Sequence, residues 1–493
     1  MFTDQYGLNT HCQIPATTGG GKSKLTEFLC REHNLDDVPV FVLDAKATTY
    51  RGLLNYYARL RPGRPTIVIN PSSGTQVTPI RFFNPKPGVN VTAHASRVGK
   101  VILNALGTEN IADVQRYRRI VNMLATYCAA SGKSILSCMD ALYFHNRHLA
   151  KVAADLMPSA KMRNEWLDLY ASPQREWSVA ESTRNRLDPF TTIDALMRTF
   201  GLPDGLSISD AMEQEANILV NLSPSLAFPE EACRIVGAVL TSELLAFSFS
   251  HQHDPIPYFV YLDEVEMYQS RDLALLLELS RGAGLRITLI NHGSYQFDDP
   301  RLAQAVDKHC RIKFVGAGAT YEEAVKHVQQ HHLGLVNQDR KKRDLFTFVT
   351  RYEEEDFEES TDGENSAEGF VGEQESGHSG SSSSVRHGTR YVPHPEKTEI
   401  GQEDYNLQEK ISQAAEEYVN IPERTFRVIE PQSVYTFEVP IVDDYLQDEE
   451  KVLEFEHSRP HQFPVSVIDQ KLKEYEDASP VTRTIKKPPA PRD

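Results

Sequence analysis

The 493-residue sequence has no cysteines at CxxC spacing. Its six cysteines (Cys12, Cys30, Cys128, Cys138, Cys233, Cys310) are scattered, which signals neither a zinc site nor a disulfide framework and leads us to expect a reducing, cytoplasmic setting. There is also no unbroken run of 18 apolar residues. The nearest approach, Val236 to Phe249, is interrupted by Glu243, and Met1 to Pro15 lacks the basic start and apolar core of a signal peptide. The chain is therefore expected not to cross a membrane by itself, although it can dock on a partner that does. Residues 51–100 contain no acid at all, and residues 351–380 contain a single base. Otherwise the composition is ordinary, 40% hydrophobic and 25% charged with 27 Gly and 28 Pro, which excludes a fibrous repeat and leaves room for two or three domains.

The net charge of −17 argues at first against a nucleic-acid partner, but it is unevenly spread. Residues 1–350 carry 37 basic and 36 acidic side chains, a net of +1, whereas residues 351–493 carry 15 and 33, a net of −18. The acid-free block holds Arg51, Arg59, Arg61, Arg64, Arg81, Lys86, Arg97 and Lys100. Such an excess suits contacts to a phosphate backbone, and it also suits a solvated face. A second basic cluster, Arg340 to Arg343, could serve the same end or pair with the acidic run that begins at Glu353.

Apolar runs at Val38 to Leu43, Thr66 to Asn70, Asn217 to Leu222, Tyr258 to Leu262, Arg286 to Asn291 and Arg311 to Val315 alternate with helix candidates and predict an α/β fold with a mostly parallel sheet. Between them, helical periodicity without strands predicts an all-α insertion over 105–215, dividing the core into 1–104 and 216–350. Residues 351–400, acidic and then Ser-rich, are expected to be a disordered linker. Residues 401–493 read as an acidic tail in which RTFRVIEP and VYTFEVPIV form short elements.

Ala16-Thr17-Thr18-Gly19-Gly20-Gly21-Lys22-Ser23 fits the phosphate-loop pattern except that Ala16 replaces its first Gly. That chemistry needs convergent backbone N–H groups, small residues so that the backbone can approach phosphate, and a helix N-terminus behind them. Thr17, Thr18, Gly19, Gly20, Gly21, Lys22, Ser23 and Lys24 are the candidate ATP-binding residues, with Ser23 also a Mg²⁺ ligand. The alternative is a Gly-rich turn that happens to precede Lys-Ser. A second SGKS, Ser131 to Ser134, lies in helical sequence without preceding glycines and reads as chance. The strand YFVYL ends in Asp263 and Glu264, and strand ends of this kind line the ligand crevice of open α/β sheets. Asp263 is the second candidate Mg²⁺ ligand and Glu264 the candidate base for an attacking water.

Taken together, GGGKSKL, FVLDAKATT, STRNRLDPF, ILVNLSPSLAFPEEACRIVGAVLTSELLAF, YFVYLDEVEMY, LSRGAGLRITLINHGSYQF and KHCRIKFVGAGATYEEA resemble the conjugative coupling-protein ATPases of the TraG/TraD type, relatives of the HerA and FtsK DNA translocases, over roughly residues 8 to 335. The resemblance implies a RecA-like P-loop NTPase core, a helical domain inserted between the two nucleotide motifs, a homo-hexameric ring and ATP-driven movement of DNA. Where relatives carry a Gln as γ-phosphate sensor, this chain has His292, with Asn291 and Gln296 nearby, and either Arg311 or Arg281 could complete a neighbour's site as an arginine finger. Relatives that span the membrane do so at the N-terminus, whereas here about fifteen residues precede the loop. A coupling protein so built is expected to have lost the anchor or to borrow one from a membrane or secretion-machinery partner, docking through the acidic tail. The competing expectation is a P-loop ATPase that powers protein secretion or remodelling without nucleic acid.

Overall fold

The computed structural model describes residues 10–60, 63–105, 111–143, 146–171, 173–293, 297, 299–329, 341–363, 382–431, 433–441 and 449–478. In chain order the strands are β1 (His11–Pro15), β2 (Val40–Asp44), β3 (Thr66–Ile69), β4 (Gln76–Val77), β5 (Asn217–Asn221), β6 (Tyr258–Leu262), β7 (Leu285–Asn291), β8 (Cys310–Val315), β9 (Lys341–Gly363), β10 (Ser382–Asp404), β11 (Thr425–Glu430), β12 (Ser433–Glu438) and β13 (Phe463–Pro464). Nine of them form one sheet in the order β12-β11-β8-β1-β7-β6-β2-β5-β3. From β8 to β3 every pairing is parallel, and β11 and β12 extend the sheet in antiparallel fashion beyond β8.

Period-two alternation sends successive side chains of each central strand into different cores. Phe41, Leu43, Ile218, Val220, Val260 and Leu262 face one core, which continues without a break into the helices between β4 and β5. Val40, Val42, Leu219, Phe259 and Tyr261 face the other, covered by α1 (Lys22–Leu35) and α2 (Thr48–Leu60). The helices from Val91–Ala105 to Ile208–Glu213 all fall between β4 and β5. Helix Glu230–Ser250 is long and apolar enough to cross a membrane, but most of its apolar stretch is buried in the first core, and its Glu243 pairs with Arg97. All six cysteines are free thiols.

The chain divides into two compact units, residues 1–335 with 414–493, and residues 336–413. Two expectations are corrected here. In the first unit, residues 414–478 are more than an acidic tail with short elements. β11 and β12 complete the main sheet with Phe426, Val428 and Phe437 in its core, β13 pairs with β4, and Arg198 forks onto Asp469. Most of the acids lie on exposed positions of elements that also carry a buried apolar face, Glu456 being the buried exception, so a charge count hides that face. In the second unit, where a disordered linker is expected over 351–400, β9 and β10 form an antiparallel ribbon. Side chains also meet across its ladder: His387 Nδ1 lies 3.1 Å from Glu358, and Arg390 pairs with Glu355. Residues 364–381 and Arg340 lie outside the described residues, while Arg343 stands opposite Glu403 and Lys341 opposite Asp404.

Candidate active site

Parallel strands bring their C-terminal ends to one edge of the sheet, and the candidate residues gather there. β1 ends at Pro15, and the chain turns through Gly19 and Gly21, both in the left-handed region with φ of 84° and 91°, before entering α1. A Cβ at Gly20 would stand 3.1 Å from the Thr17 carbonyl oxygen and 3.4 Å from that of Ala317, so the loop is tight enough to need glycine. Thr17 N and Oγ1 each donate to the Ala317 carbonyl at 3.1 Å, tying the loop to the end of β8. No side chain caps the N-terminus of α1, so its first N–H groups and the positive end of its dipole are directed to the loop's concavity. Thr18 is exposed on this loop, and the Lys24 side chain turns along the helix to Glu27 at 3.3 Å, leaving only its backbone N–H for the concavity.

β6 lies next to β2, and the Asp263 N–H donates to the Leu43 carbonyl at 2.9 Å, which sets Asp263 beside Asp44. Burial, and then the charges of Asp44 and Glu264, push the Asp263 carboxyl well above the usual range. Burial likewise raises Asp44, against N–H groups donated by Tyr50 and Lys46 at 2.8 Å each. Two neighbouring buried carboxyls, each raised by burial, favour holding a proton between them, and such a pair is a ready oxygen site for a hard cation. The Thr48 hydroxyl donates to Ser23 Oγ at 3.0 Å, fixing the other oxygen of the candidate Mg²⁺ set.

Glu264 occupies a left-handed position, φ 48°, which turns its side chain from the end of β6 toward the loop. There it meets three groups. His292 Nε2 is 3.0 Å from Oε2, Lys22 Nζ is 3.9 Å from Oε1, and Lys46 forms a close ion pair with Oε1. Burial opposes ionisation of Glu264, but Lys46 and Lys22 prevail and hold its carboxyl below the usual range. Burial first, and the Lys22 charge second, lower the proton affinity of His292 and favour its neutral imidazole. Lys22 Nζ lies 3.0 Å from Nδ1 and donates to it, which leaves the ring proton on Nε2 facing the carboxylate. Lys22 also donates to the Ala16 carbonyl at 2.6 Å, and burial depresses its own proton affinity against the pull of Glu264. Glu266, next to this cluster, is pushed up to about 7 by burial and by the Glu264 charge.

The structure thus brings together Lys22, Ser23, Asp263, Glu264 and His292. Asn291 turns elsewhere: it accepts from Gln13 at 3.2 Å, donates to the Gly293 carbonyl at 2.8 Å and is fully buried. Gln296 lies outside the described residues. Arg311, exposed near the start of β8, and Arg281, exposed just before β7, sit at the opposite edge of the sheet and do not reach this chain's own site. Ser134 of the second SGKS caps helix Ile135–Met139, accepting from the Leu136 N–H, and is buried away from the loop. The acid-free block also reads differently in three dimensions. Arg64 pairs with Asp37 and Glu215, Arg81 and Lys86 with Asp210, Arg97 with Glu243 and Lys100 with Asp272, so acids from other segments balance five of its eight charges. Arg61 lies outside the described residues. Sequence reasoning missed Lys46, Asp44 and Thr48, although the available signal was an apolar strand ending in Asp-Ala-Lys.

No known family profile matches the sequence, and no curated protein matches it significantly. Solved structures do match. The bacterial conjugative coupling protein TrwBdeltaN70 in an unbound form superposes with a TM-score of 0.57 at 16% identity, over 89% of this chain and 86% of that one. This chain has the coupling-protein fold. The plasmid coupling protein TrwB in complex with ADP and Mg²⁺ gives a TM-score of 0.54 at 14% identity, and its complex with the non-hydrolysable analogue ADPNP gives 0.55 at 15%, each over 88% of this chain and 86% of that one. The coupling-protein fold carries the expected α/β architecture with a mostly parallel sheet; at these identities the match is one of fold.

Proposed function

We propose that the protein is an ATP-hydrolysing motor of the coupling-protein type that moves DNA through a ring of identical subunits, most simply a homo-hexamer. The observation that carries the reading is the convergence, in front of the uncapped N-terminus of α1, of the Lys22 ammonium, the Glu264 carboxylate and the His292 imidazole. Lys22 and the N–H groups of Gly19 to Lys24 bind the phosphates. Mg²⁺, for which Ser23 and Asp263 supply oxygens, neutralises phosphate charge when bound. Glu264 orients and deprotonates the attacking water, and His292 Nε2–H fixes the carboxylate that does so. Arg311 is assigned to a neighbouring subunit's site as arginine finger, because it cannot serve its own. The helical stretch 105–215 is assigned as the inserted domain between core segments 1–104 and 216–350. A cytoplasmic location, with docking on a membrane or secretion partner through the acidic ribbon β9–β10, completes the reading.

The balanced charges of residues 64–100 favour a second reading, an ATPase that acts on protein rather than nucleic acid. Steady-state ATPase with and without single- and double-stranded DNA separates the two. The expected result is stimulation by DNA that is lost in Lys22→Ala and Glu264→Gln, each lowering turnover by about a hundredfold or more. Hydrolysis indifferent to DNA selects the second reading, and activity that survives both substitutions overturns the site.

A further inference from the structure

One arginine at the loop is unexplained by any role assigned above. Arg424 immediately precedes β11, which runs antiparallel to β8, so the start of β11 comes to the same sheet edge as the phosphate loop. Its backbone lies against that loop: a Cβ at Gly21 would stand 3.1 Å from Arg424 Cα and 3.4 Å from its nitrogen. The approach is held from both sides. Beneath it, fully buried Phe426 fills the space in front of Gly316, where a Cβ would stand 2.7 Å from its ring. Beside it, the Val439 N–H donates to the Arg424 carbonyl at 2.9 Å while Arg424 Nη2 donates to the Val439 carbonyl at 3.0 Å.

Two features separate Arg424 from a surface arginine. Its φ is 62°, a left-handed backbone that glycine would adopt without cost, so the position keeps a long cation where the backbone disfavours any side chain. Second, among the described residues no carboxylate pairs with its exposed guanidinium, whereas Lys22 and Lys46 share Glu264 and Lys24 meets Glu27. One carbonyl occupies one end of a planar fork with five N–H donors, and among the described residues nothing else takes the rest, while the side-chain stem would stand 3.7 Å from a Cβ at Gly21.

We propose that Arg424 binds nucleotide in cis, its guanidinium donating to phosphate oxygens of the nucleotide held by Thr17 to Ser23. The hairpin β11–β12 is then a side wall of the nucleotide site. The proposal rests on the nucleotide-binding reading above and adds to it a residue some 400 positions downstream of the loop.

The test is equilibrium binding of MgADP to the full chain, with the melting temperature recorded without nucleotide. Arg424→Gly removes the fork and suits the left-handed backbone, so folding is not put at risk. The expected result is ADP affinity about tenfold or more weaker in Arg424→Gly, about what losing a charge-assisted bond costs. A smaller loss is expected in Arg424→Lys, with a melting temperature that falls in either variant by no more than the loss of the single bond to the Val439 carbonyl accounts for. Unchanged ADP affinity in Arg424→Gly overturns the proposal, and so does a lowered melting temperature with affinity intact, which would make the residue structural. If the unaltered chain binds no ADP, the nucleotide reading itself fails, and that outcome is distinguishable because Lys22→Ala then changes nothing.

Discussion

At the scale of single residues, the buried histidines make the fold sensitive to acid. His33 stacks on Phe259 with ring centroids 3.4 Å apart, and burial lowers its proton affinity to about 3. His11 is lowered to about 3 and His94 to about 4, again chiefly by burial. A depressed folded-state value means that the neutral form is the one the fold accepts. The stability this brings is complete above the unfolded value near 6.5 and is lost as pH falls from there toward 3. The chain is therefore expected to melt lower at pH 5.5 than at pH 7.5, each histidine contributing about 1.4 kcal/mol per pH unit in that window. His33→Phe keeps the stack and removes the titration, so the gap between the two melting temperatures should narrow. A gap of unchanged width would locate the acid sensitivity elsewhere.

The same scale shows what the site revealed in advance. Lys22, Ser23, Asp263 and Glu264 were legible because each lies in a short contiguous pattern, a loop before a helix or acids after an apolar strand. Lys46 was not, because its importance arises from β2 lying next to β6, which brings segments some 220 residues apart into contact, and Thr48 was not, because it acts through Ser23 on the neighbouring α1. Arg424 is the extreme case. No pattern marks it, and only the antiparallel pairing of β11 with β8 carries it to the loop.

At the scale of elements, apolar runs found the strands that are buried on both faces and missed β1, which is equally central. His11 and Gln13 break its hydropathy, yet both are buried. His11 Nδ1 accepts from the Ile287 N–H at 3.1 Å with Nε2 3.0 Å from the Leu277 carbonyl, and Gln13 donates to Asn291 at 3.2 Å. Polar side chains satisfied by such bonds can occupy a core strand, which a hydropathy count cannot foresee. Helix packing carries an equally hidden constraint. Gly237 in helix Glu230–Ser250 faces Tyr268, where a Cβ would stand 2.6 Å from the ring, and the Tyr268 hydroxyl donates to the Asp263 carbonyl at 2.9 Å. Gly237→Ala is expected to cost about 1–3 kcal/mol through overpacking. By displacing the support of Asp263 it should also lower ATPase turnover more than nucleotide binding. Thermal melting together with kcat and KM would check both, and a stable, fully active variant would show that Tyr268 can yield freely.

At the scale of the whole molecule, net charge misled in both directions. The acid-free block looked like a DNA face and is largely balanced within the chain, whereas much of the acidic third is woven into the unit that holds the main sheet and only the ribbon stands as a unit of its own. Truncating everything after residue 350 would therefore strip β11 and β12 from the sheet, removing Phe426 and Val428 and exposing the core residues Ile312 and Phe314 of β8 that pack with them, confounding any charge effect with unfolding. A cleaner removal replaces residues 344–402 by Asn-Gly, because Arg343 and Glu403 stand opposite each other and a two-residue turn can join them. That segment holds 14 acids and 4 bases, so the net charge falls in magnitude from −17 to −7. Less self-repulsion toward a polyanion should tighten DNA binding at low salt, and the gain should vanish at high ionic strength, where exposed charges more than a few ångströms apart are screened. The melting temperature of the unit that holds the main sheet should not move, since the ribbon belongs to a separate compact unit. Fluorescence anisotropy with a labelled oligonucleotide across a salt series would measure the first effect. Equal affinity at low salt would show that the ribbon's acids do not compete with DNA, and would leave partner docking as their remaining assignment.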